Sequence, residues 1–189
     1  MPSKYKNKFR TKTLRFQDYD YSQCGAYFVT ICTKLKGNIL GKIENEQFIE
    51  FQLSEIVRKC WLKLPSYYTN IVLDEFIIMP DHLHGIIMIF ENQLNKGDDS
   101  VETIHELSLP QNIQNRRTML LPKIIGRFKM QSAKKINEFQ NTQGITFWQK
   151  DYFERIIRNE KELNNIQNYI INNPIKWGFE KDLVENLFM

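Results

Sequence analysis

Residues 26–34 alternate Tyr27, Val29 and Ile31 with Phe28, Thr30 and Cys32, the two-residue period of a strand. "GNILGKIENEQFIEF" reads as a short hairpin. From residue 52 the period changes. Ile56, Val57, Cys60, Trp61 and Leu64 recur at three and four, which predicts a helix that Pro65 ends. "NIVLDEFIIM" predicts a second strand, Pro80-Asp81 a turn, and "HLHGIIMIF" a returning strand. A second amphipathic helix is expected over about residues 120–137, with Leu121, Ile124, Ile125, Phe128 and Ile136 on one face and Lys123, Arg127 and Lys134 on another. "YFERIIR" predicts a last strand over 152–158. A final helix should open at an Asn159 N-cap, with Glu162 at its third position, and close at Asn173-Pro174. The order β-α-β-β-α-β is that of a ferredoxin-like antiparallel sheet, an α+β fold with helices on one face, to which an extra C-terminal helix is added.

Composition changes little in that picture. The 189 residues are 42% apolar and 13% aromatic, enough to bury a core. No apolar run is long enough to span a bilayer, and the basic N-terminus lacks the apolar stretch of a secretory signal. Cys24, Cys32 and Cys60 form no C-x-x-C pair, which argues against a cysteine zinc site and for a reducing, cytoplasmic location. The organisation expected is a basic arm (1–18), one domain (19–178) with a long polar internal loop (91–118), and a tail (179–189).

Charge adds more. Residues 1–17 hold six Lys or Arg and no acid, and seven more lie between Glu106 and Glu138, again with no acid. Two basic blocks suit a polyanionic partner, and they equally suit a solvated surface.

Candidate chemistry gathers at "PDHLHG". Two of the three histidines, His82 and His84, stand two apart on a predicted strand, so they share a face while Leu83 points to the other. Such a pair can offer two nitrogens to one cation, or simply sit on a polar sheet face. On the final helix Tyr169 and Asn173 are four apart and therefore neighbours. An Asn oxygen and a phenol there could complete a cation site, or be ordinary helix-edge residues.

The chain resembles the HUH single-tyrosine transposases, especially REP-associated tyrosine transposases and the smallest insertion-sequence transposases. The resemblance rests on "YDYSQCGAYFVTICTK", "IMPDHLHGII", "IIGRFKMQSAKKIN" and "FWQKDYFERIIRNEKELNNIQNYIINNPIKWG", which cover most of residues 19–178 in the family's order. It implies that Tyr169 is the nucleophile and that His82, His84 and Asn173 bind a divalent metal, Mg2+ or Mn2+. It implies cleavage and joining of single-stranded or REP-like hairpin DNA through a 5′-phosphotyrosine, by a monomer or homodimer with no membrane role. Arg10, Lys12, Arg15, Lys123, Arg127, Lys129, Lys134 and Arg155 are then the expected DNA contacts, and Trp148 is either a base-stacking ring or core. Two rival functions are a hairpin-binding protein that does not cut and a metal-dependent nuclease that uses water.

Overall fold

In the computed structural model the alternation over 26–34 becomes a central strand with both faces covered. The structure describes residues 20–35, 37–44, 47–91 and 119–176, together with two short paired strands, β1 (Lys4–Tyr5) and β2 (Lys8–Phe9). The expected internal loop, apart from residue 91, lies outside the described residues, as do Arg10, Lys12, Arg15 and the tail.

Strand β3 (Gly25–Cys32) is followed by the hairpin β4 (Gly41–Glu44) and β5 (Gln47–Glu50), then helix α1 (Gln52–Leu62). Pro65 falls in a 3-10 turn, Leu64–Ser66, just past that helix. Strands β6 (Ile71–Ile78) and β7 (His82–Ile89) form the predicted hairpin. Helix α2 (Leu120–Phe139), strand β8 (Phe153–Ile157) and helix α3 (Glu160–Ile171) follow, and a short helix α4 (Asn173–Lys176) closes the described chain. The sheet order is β6-β7-β3-β8 and every pairing is antiparallel. This is the ferredoxin-like order the sequence predicts.

The period of two divides the side chains between two cores. Tyr27, Val29, Ile31, Leu83 and Ile87 point to one face and pack on Val57 and Trp61 of α1 and on Leu121, Ile124 and Phe128 of α2. Phe28 and Ile86 point to the other face, where they meet Ile157 and, from α3, Ile166 and Ile170. Helices α1 and α2 therefore share one face, and the added helix covers part of the opposite one. A bulge between Leu73 and Phe76 puts one extra residue into β6. Asp74 in that bulge accepts two hydrogen bonds from Gln167 Nε2 of α3, at 2.8 and 3.1 Å. The bulge so ties down the helix two residues before Tyr169.

The final helix ends earlier than its pattern predicts. Asn172 terminates α3, and Pro174 lies in the first turn of α4, where its missing N–H costs nothing. Tyr169 and Asn173 thus belong to consecutive helices. Among the described residues no helix is long and apolar enough to cross a membrane.

Gly85, between the histidine motif and the apolar run, faces the indole of Trp61. A Cβ there would lie 2.5 Å from Trp61 Cζ2. Gly85→Ala is expected to destabilise the fold by about 1–3 kcal/mol through overpacking, read as a lower midpoint in chemical denaturation. An unchanged midpoint would mean the indole moves freely.

Candidate active site

The even-numbered residues of β7 carry the chemistry. His82 and His84 project to the α3 face, and Leu83 between them is fully buried in the other core. Both imidazoles are buried, at 6% and 3% exposure, so neither lies on a solvated face.

Buried polar groups need partners, and an unmade hydrogen bond there costs about 1–3 kcal/mol. Each outer nitrogen has one. His82 Nδ1 lies 2.8 Å from Asp81 Oδ1, and His84 Nδ1 lies 2.8 Å from Thr30 Oγ1. Thr30 is the register partner of His84 across β3 and β7, so the pairing of those strands sets this contact. Phe28 stacks on the His84 ring, with centroids 5.3 Å apart and planes at 25°. The inner nitrogens converge, with Nε2 to Nε2 at 2.9 Å.

That separation tests the fit of a cation. Two ligands at a right angle with bonds of about 2.1 Å stand about 3.0 Å apart, against about 3.4 Å for a tetrahedral angle. The observed gap matches the right angle of an octahedral ion. With Asp81 and Thr30 holding the outer nitrogens, both inner lone pairs can turn to one ion, the usual arrangement behind a ligating histidine. Among the described residues no third His, Cys, Asp or Glu joins the pair. Cys32 pairs with His82 in register, but burial, with Asp81 beside it, pushes its thiol up to about 11, so it stands there as a neutral thiol.

Tyr169 reaches the pair from α3. Its hydroxyl lies 3.4 Å from His84 Nε2, and the rings meet at 5.4 Å and 65°. One chain thus brings the phenol and both imidazoles together. Asn173 is buried at the start of α4, and its side chain is not hydrogen-bonded to either imidazole.

The expected DNA contacts scatter. Lys123 and Lys134 are exposed on α2, which packs on the sheet face opposite the imidazoles. Arg127, on the same helix, lies over the Tyr67 ring at 4.5 Å. Lys129 directs its ammonium at the carbonyls of Gln149, Lys150 and Asp151, at 3.1, 3.4 and 2.9 Å, so the expected phosphate contact is replaced by a structural one. Trp148 is core: it is 3% exposed and its Nε1 donates to Ser132 Oγ at 2.8 Å. Arg155 is exposed on the imidazole face of β8 and pairs with Glu162 in the first turn of α3. The Arg158 N–H and the Arg155 guanidinium hold the Glu162 carboxyl below its ordinary range.

Thr30, Asp81, Asp74 and Gln167 are the supporting residues that sequence reasoning missed. Asp81 carried a signal, since it directly precedes His82. The other three become visible only once strand pairing is known.

Burial, and then the neighbouring His82, lower His84 well below its ordinary 6.5. The neutral ring is the stable one in the folded state. Its contribution is complete above about 6.5 and is lost as pH falls through the lowered folded value. With chelator present, the melting temperature should fall from pH 7 to pH 5, and less steeply in His84→Leu. Equal slopes in the two proteins would contradict this.

No family model matches the chain. A Haemophilus influenzae protein of uncharacterised function is 36% identical over 166 residues, which span 88% of this chain and 89% of that one. A second Haemophilus influenzae protein, assigned to the REP-associated tyrosine transposases, is 31% identical over 160 residues, or 85% of this chain and 76% of that one. Among solved structures, a REP-associated tyrosine transposase bound to a REP hairpin aligns with a TM-score of 0.51 and 19% identity, over 87% of this chain and 74% of that one, a likeness of fold.

Proposed function

The chain belongs to the REP-associated tyrosine transposases, and on that premise we propose that it cleaves and rejoins single-stranded DNA beside a hairpin through Tyr169. The observation that carries this reading is the Tyr169 hydroxyl 3.4 Å from an imidazole pair whose inner nitrogens are 2.9 Å apart.

His82 and His84 would hold a divalent cation, Mg2+ or Mn2+, with the Asn173 amide oxygen as third ligand. When bound, such an ion draws charge from the non-bridging oxygens of a phosphodiester. The chain's own residues do the rest. Asp81 and Thr30 fix the two rings, so the ligand nitrogens need no reorganisation as DNA arrives. The Asp74–Gln167 contact and the packing of Ile166 and Ile170 hold α3 against the sheet, which keeps the phenol at the phosphate. The Tyr169 oxygen attacks phosphorus and the bond to the 3′ oxygen breaks. The phenolic proton passes to water and the departing 3′ oxygen takes one up. The product is a 5′-phosphotyrosine and a free 3′-OH. One phosphodiester has replaced another, so a 3′-OH can reverse the step and join DNA without a nucleotide cofactor.

Incubation with hairpin DNA carrying single-stranded flanks should give a covalent protein–DNA adduct with Mg2+ or Mn2+, and none with chelator. Tyr169→Phe should abolish the adduct, with DNA affinity within about threefold of the native chain, since only a hydroxyl is lost. Multiple-turnover cutting by Tyr169→Phe would favour a water-using nuclease instead. Tight binding with no cutting by the native chain would favour a hairpin-binding protein.

A further inference from the structure

The sheet face that carries the imidazoles is covered unevenly. Helix α3 lies over Phe28, Ile86 and Ile157. The next row toward the imidazoles runs Phe153, Thr30, His84, Ile77 in register across β8, β3, β7 and β6. Side chains in register point to the same face, so Phe153 stands in line with the very residues that orient His84.

Phe153 is an unusual occupant of that place. Its side chain is 40% exposed, although it neighbours a buried polar centre. It lies on β8, an edge strand with no described strand beyond it, so the sheet leaves room for a ligand there. Two strand spacings of about 4.8 Å put it roughly 10 Å from His84. That is the reach from a backbone phosphate to the base of a neighbouring nucleotide. Two residues along the strand, on the same face, stands the exposed Arg155, a cation for the adjoining phosphate. An aromatic face and a guanidinium in line with the nucleophile suit a single DNA strand with its base unpaired.

We propose that Phe153 is the platform on which an unpaired DNA base next to the cleaved phosphate stacks. This rests on the transposase reading above, and it gives that site a requirement for unpaired DNA. The ring contributes a flat π face that any base can use, so it selects single strands over duplex more than it selects a sequence.

The test uses the full chain and three variants, Phe153→Ala, Phe153→Leu and Phe153→Trp, each first checked for an unchanged melting profile. The cut position is mapped with the native chain on a hairpin oligonucleotide, and 2-aminopurine is then scanned through its single-stranded flanks. The native chain and Phe153→Trp should quench the probe within one or two nucleotides of the cut. Phe153→Ala and Phe153→Leu should not, and should bind about tenfold more weakly, within the range of one base–aromatic stack. An abasic nucleotide at the quenched position should erase the difference between the native chain and Phe153→Ala. Native quenching by Phe153→Leu would reduce the residue to apolar packing and overturn the proposal, as would an abasic penalty equal in both proteins. An adduct without Phe153-dependent quenching sinks the platform alone. Quenching that depends on Phe153 without any adduct sinks the cleavage reading and leaves the platform standing.

Discussion

Two imidazoles held 2.9 Å apart away from water are the constraint around which this chain is arranged. Neither ring is tolerable there alone, because buried nitrogen needs partners and a buried charge needs more. The fold answers with Asp81 on one outer nitrogen and Thr30 on the other, and with Phe28 stacked on the His84 ring. Each of these depends on β3 and β7 lying side by side in one register. A slip of one residue would send the imidazoles into the α1–α2 core and turn Leu83 out in their place.

The same alternation separates stability from chemistry. One face of the sheet carries the larger core, with Trp61 and Phe128 meeting edge to face at 5.2 Å. The other carries a smaller cluster under α3, with the polar centre at its rim. The close fit of Trp61 on Gly85 sits directly behind the histidines. Large apolar side chains thus set the backbone position of β7 from one side, and hydrogen bonds set the rings from the other.

Much of this was legible in the sequence, for a physical reason. Strand and helix periods write themselves into residue order, and "HLH" can place both rings on one face only if it is a strand. The order of elements therefore followed from pattern, and the sheet order agreed. What pattern cannot carry is depth. Trp148 and Lys129 sit in family-like strings and look available to DNA, yet one is packed against Phe128 and the other caps three carbonyls. The break at Asn172 was likewise hidden, because Tyr169 and Asn173 keep helical spacing across it. Thr30 looked like one more β-former until its partner across the sheet was known.

The connection between β8 and α3 is only Arg158 and Asn159, with the Asn159 side chain accepting from Glu162 N at 2.9 Å. So short a tether keeps the phenol with the imidazoles of its own polypeptide, and a partner copy could borrow it only by taking the edge strand as well. The stoichiometry that follows is one reactive hydroxyl per molecule. Each copy carries a single DNA 5′ end at a time, so an exchange involving two ends calls for two molecules, or for one that lets go between turns.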